Sequence, residues 1–175
     1  PDADDDWDRL RTVRKAVGDD VLIMTDVNQK WDLNTAIYWG KRLESLNLYW
    51  LEEPMHAADV RAHRVFRERV SIPVALGETL FTSQAFKDYI VADAVDFVQL
   101  QVIRMGGITP WLEVAALASA FNLRVCPHAG DSLQVHQHLI RAISNRGYLE
   151  GGEPLTECVW KYPVQIKDGH CIAPT

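Results

Sequence analysis

Three carboxylates at even intervals are the side chains of this chain best suited to chemistry. Asp26, Glu52 and Glu78 lie 26 residues apart, and each follows a short apolar run. These runs cover residues 21–25, 48–51 and 73–77. A strand, a helix and two loops together take about 25–30 residues, so each acid is predicted to end a strand in a repeated βα pattern.

The ends of such strands are predicted to bring the three acids together. In a parallel β/α array, the C-terminal ends of all the strands open on one face. Three carboxylates from neighbouring strands could therefore meet at one cation, and ligation by oxygen alone suits Mg²⁺. The alternative is that each acid is an ordinary helix cap or surface residue. The equal spacing and the buried type of the preceding strands favour the metal site.

The segments around the acids predict six strands that alternate with helices. The predicted strands are 21–25, 48–51, 74–76, 97–100, 124–126 and 148–150. Asp59 is a suitable N-cap for the helix that follows it, and Pro110 suits the first turn of a later helix. A closed (β/α)8 barrel has eight strands and roughly 250 residues. Six parallel strands would leave two open edges, so the pattern predicts an α/β unit that is part of a barrel.

Composition describes a globular protein and excludes several classes of partner. The 175 residues are 47% hydrophobic and 24% charged, with a net charge of −6, which allows a sizeable core. No basic patch interleaved with aromatic residues occurs, so we expect no nucleic-acid partner. No apolar run is long enough to span a membrane, so we expect no membrane partner. The three irregularly spaced cysteines indicate reduced thiols and a cytoplasmic protein.

Five short motifs, taken in order, resemble one known family. They are Asp26-Val-Asn-Gln29, Leu51-Glu-Glu-Pro54, Gly77-Glu78, Arg104-Met-Gly-Gly-Ile108 and Pro127-His128. This set resembles the strand-end motifs of the enolase superfamily, in its mandelate racemase/muconate lactonizing branch. The resemblance implies a partial TIM-type (β/α)8 barrel that contains strands three to eight. Residues 1–175 would be the C-terminal part of the catalytic barrel domain, and the N-terminal capping domain and first barrel strands would be absent from this chain.

The resemblance implies roles for the acids and for one histidine. Asp26, Glu52 and Glu78 match the ligands of an Mg²⁺ ion that stabilises an enediolate, formed when a proton leaves the carbon next to a carboxylate. His128 matches a general acid or base, since neutral imidazole exchanges protons near pH 7; a buried structural histidine is the alternative. Glu150 matches an acid of the eighth strand that binds the substrate carboxylate, with an ordinary surface acid as the alternative.

Gln101 departs from the pattern of the family. Many members carry an aspartate at this position, which forms a hydrogen bond with the histidine. A glutamine can still orient His128 through its amide oxygen, but it supplies no negative charge to favour imidazolium. Gln101 is therefore expected to assist His128 in catalysis, and Asp131 is an alternative partner for the histidine.

Further residues near the strand ends are expected to surround the substrate. Asn28, His56 and Arg104 are predicted to contact it, and a purely structural role is the alternative for each. Glu53, next to Glu52, is predicted to close a loop rather than to bind the metal. The second base of the family is a lysine in a Lys-x-Lys motif, which does not occur in this sequence.

The resemblance is strongest to acid-sugar dehydratases of the fuconate type. It implies a lyase that removes the proton next to a carboxylate, expels the β-hydroxyl as water and yields a 2-keto-3-deoxy acid. The small-molecule partner would be an acid sugar, and the full-length protein would be a homo-oligomer. One alternative is a racemase or epimerase with the same metal site. Another is a catalytically inactive barrel fragment that acts as a subunit or interaction module.

Overall fold

Helices alternate with short strands in the computed structural model, which describes residues 3–128, 133–151, 161 and 164–172. The helices are α1 (Ala3–Val17), α2 (Leu33–Leu43), α3 (Val60–Arg69), α4 (Ser83–Val91), α5 (Ile108–Ala120) and α6 (Leu133–Leu139), with a 3₁₀ turn at Glu44–Leu46. The strands that pair in parallel are β1 (Met24–Asp26), β2 (Trp50–Glu52), β3 (Val74–Leu76), β4 (Phe97–Val98) and β5 (Arg124–Val125). An antiparallel hairpin, β6 (Gln165–Lys167) and β7 (His170–Ile172), follows them.

The chain divides into two compact units. The first consists of Pro1–Leu76 and Val91–Asp96, and the second of Gly77–Ile90 and Phe97–Thr175. In the first unit β1 pairs with β2 and β2 pairs with β3. All three residues of β3 are buried, as expected for a parallel strand covered on both faces.

Two helices of the first unit pack closely because of one glycine. A side chain at Gly40 of α2 would come within 2.9 Å of the Phe66 ring on α3, so the absence of one lets the helices approach. Both helices begin at an aspartate whose carboxylate accepts a backbone N–H of the first turn. Asp32 accepts from Thr35 at 2.8 Å, and Asp59 accepts from Ala62 at 2.8 Å. The predicted cap at Asp59 is therefore confirmed.

The second unit is built on the β4–β5 pair and on α5. Val98 lies opposite Val125 in the register, and both are buried. Trp111, in the first turn of α5, is fully buried, and Ala118 lies on the buried face of the same helix. The hairpin turns at Asp168 and Gly169, which both have positive φ, a conformation that an Asp-Gly pair adopts readily in a two-residue hairpin turn.

The α/β fold class is confirmed, but of the six predicted strands only 74–76 has the bounds that the structure shows. The strands predicted at 21–25 and 48–51 begin later, at Met24 and Trp50, and those predicted at 97–100 and 124–126 end earlier, at Val98 and Val125. Residues 148–150 form no strand; the nearest parallel bridge joins Arg146 to Val125. The backbone at Gly147 approaches Cys126 so closely that a side chain there would clash with its Sγ. No helix in the described ranges is both long and apolar enough to cross a membrane.

Candidate active site

Two of the predicted metal ligands end neighbouring strands in register. Asp26 is the last residue of β1, Glu52 is the last residue of β2, and the two are direct partners across the pair. Neighbouring strands lie about 4.8 Å apart, and residues in register project from the same face. The two carboxylates therefore occupy adjacent positions where both strands end.

Asn28 holds the carboxylate of Asp26. Its backbone N–H donates to Asp26 Oδ1 at 2.7 Å, and its side-chain Nδ2 donates to Oδ2 at 2.5 Å. Asn28 can make both bonds because its φ is +50°, a left-handed conformation that asparagine tolerates better than most residues. The structure thus shows Asn28 orienting a candidate ligand, and contact with substrate stays a prediction.

Glu53 and Gln29 join the loops that follow β1 and β2. Glu53 is only 1% exposed and has a φ of +39°. Gln29 Nε2 donates to Glu53 Oε2 at 3.0 Å, and Gln29 Oε1 accepts the Ala57 N–H at 2.9 Å. The backbone N–H of Gln29 also donates to the Glu53 carbonyl at 2.8 Å. Glu53 therefore closes a loop, as expected, whereas Gln29 was not singled out from the sequence although it ends the Asp26 motif.

His56 lies in the loop after β2. Its side chain is exposed, and its Nδ1 accepts the backbone N–H of Ala58 at 3.1 Å. This bond tightens a local turn, which is the structural alternative considered for this residue. Binding of substrate by His56 stays a prediction.

In the second unit the structure brings His128 together with two acids. His128 Nε2 lies 2.6 Å from Glu78 Oε2 and 3.7 Å from Glu150 Oε2. The side chains of His128 and Glu78 are 20% and 14% exposed, whereas that of Glu150 is 54% exposed. A carboxylate oxygen this close to an imidazole nitrogen can form a short hydrogen bond with it. This arrangement can deliver a proton to a bound molecule or take one from it.

Gln101 forms a hydrogen bond within the loop that follows β4, and its expected support of His128 stays a prediction. It is buried, and its Oε1 accepts the backbone N–H of Ile103 at 3.0 Å. The carboxylate in contact with His128 belongs to Glu78. Asp131, the alternative partner, lies outside the described residues.

Arg104 supports the backbone at Glu78. Its Nη1 donates to the Glu78 carbonyl oxygen at 2.6 Å, and the side chain is otherwise exposed. The loop after β4 is therefore tied to the loop that carries a candidate metal ligand. A contact between Arg104 and substrate stays a prediction.

The side chains predicted to bind the metal are of a type that suits a hard divalent cation. Asp26 and Glu52 of the first unit, and Glu78 of the second, each carry carboxylate oxygens, which Mg²⁺ prefers. In the described ranges, no group of three or more His, Cys, Asp or Glu side chains is gathered closely enough to hold a metal ion. Instead, the Asp26 carboxylate accepts hydrogen bonds from Asn28, and the Glu78 carboxylate contacts His128.

Comparison with known proteins agrees with the family predicted from the motifs. Residues 1–175 match the family described as enolase C-terminal domain-like. The curated L-talarate/galactarate dehydratase of Salmonella typhimurium is 36% identical over 169 residues, which make up 97% of this chain and 42% of that protein.

Solved structures of enzymes are also similar to this chain. The crystal structure of L-talarate dehydratase from Polaromonas sp. JS666, complexed with Mg and L-glucarate, has a TM-score of 0.90 and 35% identity, covering 99% of this chain and 48% of that one. A racemase from Streptomyces coelicolor A3(2) with bound magnesium has a TM-score of 0.82 and 31% identity, covering 86% and 45%. The chain spans less than half the length of these relatives. Their magnesium agrees with the cofactor predicted from the sequence.

Proposed function

Since this chain belongs to the enolase superfamily, we propose that its protein abstracts the proton next to a carboxylate and dehydrates an acid sugar to a 2-keto-3-deoxy acid. The similarity to an L-talarate/galactarate dehydratase supports this reaction, as does the similarity to a dehydratase crystallised with L-glucarate. Residues 1–175 are proposed to be the C-terminal part of the catalytic barrel domain. The capping domain and first barrel strands are proposed to belong to other parts of the protein.

The observation that carries the proposal is the pair of carboxylates in register at the ends of β1 and β2. We propose that Asp26, Glu52 and Glu78 would hold Mg²⁺, which when bound supplies positive charge against the developing enediolate. Asn28 orients the Asp26 carboxylate through two hydrogen bonds, so less ordering is needed when a cation binds. These contacts support the assignment of the ligands.

The proposed role of His128 is to protonate the leaving hydroxyl. When the α-proton has left, the bond between the β-carbon and its hydroxyl breaks, and the hydroxyl departs as water with a proton from His128 Nε2. The resulting enol tautomerises to the 2-keto acid. The contact with Glu78 supports this role because it places His128 Nε2 beside a candidate metal ligand, where the substrate is proposed to bind. Glu150 is proposed to bind the substrate carboxylate, and Gln101 to assist His128 through the loop it stabilises.

The base that removes the α-proton is proposed to lie outside residues 1–175. Its expected Lys-x-Lys motif does not occur in this sequence. The protein is proposed to be a homo-oligomer that binds the acid sugar as its small-molecule partner. An inactive fragment that serves as a subunit would share the fold but would lack turnover in the full-length protein.

A second candidate is racemisation or epimerisation. The similarity to a magnesium-bound racemase favours it, and the same His128 could return a proton to the opposite face of the intermediate. The two reactions differ in whether a carbon–oxygen bond breaks. Dehydration releases water and forms a ketone, whereas racemisation only inverts the α-carbon.

Product analysis of the full-length protein separates these functions. We would incubate it with Mg²⁺ and a library of aldonic and aldaric acids, detect 2-keto acids with semicarbazide, and follow α-proton exchange in D₂O by NMR. We expect a 2-keto-3-deoxy product from at least one acid. Exchange of the α-proton or inversion of the α-carbon without loss of water would establish the racemase alternative. The absence of a keto acid, of exchange and of inversion would favour the inactive subunit.

The Glu52→Gln variant tests the metal assignment. Replacing this carboxylate removes a ligand and a charge, so we expect weaker Mg²⁺ binding in calorimetry and the loss of turnover. Glu113→Gln is the matched control, because Glu113 is an exposed acid on α5. An unchanged affinity for Mg²⁺ in Glu52→Gln would rule out Glu52 as a ligand.

A further inference from the structure

The loop after β4 is a compact turn that carries two candidate site residues, Gln101 and Arg104. Most of its backbone donors are satisfied within the loop itself. These bonds run from Met105 N to Gln101 O at 3.0 Å, from Gly106 N to Ile103 O at 3.1 Å, from Gly107 N to Val102 O at 2.9 Å, and from Ile103 N to Gln101 Oε1 at 3.0 Å. The loop is therefore internally rigid, and a bond at one point can set the position of the whole.

The backbone N–H of Val102 provides such a bond. It donates to Nε2 of His136, 34 residues away on α6, at 3.0 Å. His136 is fully buried and Val102 is 5% exposed, so water cannot readily replace this acceptor. A buried backbone N–H without an acceptor is costly, which makes the bond a strong constraint on the loop.

The bond defines the protonation state of His136. An imidazole nitrogen that accepts an N–H carries no proton, so the ring is neutral with its proton on Nδ1. Burial and, to a smaller extent, the nearby charge of His128 lower the pKa of His136 to about 4, although a hydrogen bond with the His128 backbone opposes the shift. The ring therefore remains an acceptor at neutral pH. Trp111 packs beside it, with ring centroids 6.2 Å apart and planes tilted by 34°.

The same loop reaches the candidate acid–base pair. Arg104 Nη1 donates to the carbonyl oxygen of Glu78, and the Glu78 carboxylate contacts His128 Nε2. A shift of the loop would therefore move the backbone that carries Glu78. His136 also forms a hydrogen bond with the backbone of His128, and its bond to Val102 connects it to the loop that reaches Glu78.

We propose that His136 is a positioning residue: its unprotonated Nε2 holds the loop at Val102, so that Arg104 fixes the backbone of Glu78 beside His128. The consequence for turnover rests on the proposed function, whereas the hydrogen bond and the tautomer do not. The structure gives His136 a specific acceptor atom, Nε2, and a specific loop to hold.

Two substitutions separate the acceptor from the bulk of the ring. His136→Phe keeps a planar ring but has no acceptor, whereas His136→Gln can place an amide oxygen near the position of Nε2. His138→Phe is the control, because His138 is the exposed histidine of the same helix. Hydrogen exchange of the Val102 amide measures the bond in each variant of the full-length protein.

We expect the Val102 amide to exchange about tenfold faster or more in His136→Phe, and near the wild-type rate in His136→Gln and His138→Phe. With an acid sugar that is turned over, kcat should fall about tenfold in His136→Phe, KM should change little, and His136→Gln should restore most of the loss. Unchanged Val102 exchange in His136→Phe, or no rescue by His136→Gln, would overturn the proposal.

The wild-type tautomer provides a test that does not depend on whether a variant folds. We expect ¹⁵N NMR at neutral pH to show His136 protonated on Nδ1 and bare on Nε2. A proton on Nε2 would refute the bond and the proposal with it. If no acid sugar is turned over but exchange and tautomer behave as expected, the proposed function fails while the positioning role stands.

Discussion

Replacement of Arg14 should destabilise the first unit more than any single surface change on α1. The guanidinium is 9% exposed and donates to four backbone carbonyls. They are those of Leu46 at 2.9 Å, Gly18 at 2.8 Å, Val21 at 2.7 Å and Asn47 at 3.0 Å. These carbonyls belong to the segments that lead into β1 and β2, so Arg14 joins the end of α1 to the strands that carry Asp26 and Glu52.

The expected loss for Arg14→Met can be worked from these contacts. The bond to the carbonyl of Leu46 is buried, so this carbonyl would lose its hydrogen-bond donor without a replacement, which costs roughly 2 kcal/mol. The residues Gly18, Val21 and Asn47 are exposed, so water can replace the donor at their carbonyls, and each loss costs roughly 0.5 kcal/mol. Methionine retains the packing of the apolar stem. The sum is about 3–4 kcal/mol in the free energy of unfolding.

Urea unfolding of the purified protein, followed by tryptophan fluorescence, measures this loss. The free energy of unfolding should fall about half as much in Arg14→Lys as in Arg14→Met, because one ammonium cannot reach all four carbonyls. Arg11→Met is the control: Arg11 pairs with Asp8 at 3.1 Å, both side chains are more than 60% exposed, and the expected cost is under about 0.5 kcal/mol. A loss below about 1 kcal/mol in Arg14→Met would refute the reasoning that these bonds act together.

Three further outcomes are expected. His128→Asn should abolish dehydration but leave exchange of the substrate α-proton, compared by keto-acid assay and by NMR in D₂O; dehydration near the wild-type rate would exclude His128 as the general acid. Gly77→Ala should lower the free energy of unfolding, measured in urea, by more than about 2 kcal/mol. The reason is that the φ of Gly77 is +146° and the new Cβ would lie 2.5 Å from the Gln99 carbonyl oxygen. A loss no larger than that caused by the same substitution at an exposed glycine would contradict this. Burial lowers the pKa of both His136 and His63 below their ordinary value of 6.5, so the unfolded chain binds more protons and stability should fall as the pH drops from 6.5 toward about 4. His136→Gln should flatten this pH profile, and an unchanged slope would show that His136 is not the group responsible.

Local features of the fold could be predicted because they depend on neighbours in sequence. The cap at Asp59 and the turn at Asp168 each use a side chain or a backbone conformation within a few residues, so residue type suffices. The prediction of a last strand was wrong because a strand depends on pairing with a distant segment rather than on neighbours in sequence. A strand requires a continued ladder of backbone hydrogen bonds. Glu150 N–H donates to Pro127 O at 3.3 Å, but residues 148–150 form no strand.

The sequence by itself determined which acids end successive strands, because the length of a βα unit sets the interval between them. Only the tertiary structure decided how those strand ends are arranged. The register that sets Asp26 opposite Glu52 depends on hydrogen bonds between strands, which no local pattern specifies. The contact of His128 with Glu78, and the bond from Val102 to His136, join segments 34 or more residues apart. Such pairs form where packing places two side chains within bonding distance, and that placement is a property of the folded chain as a whole.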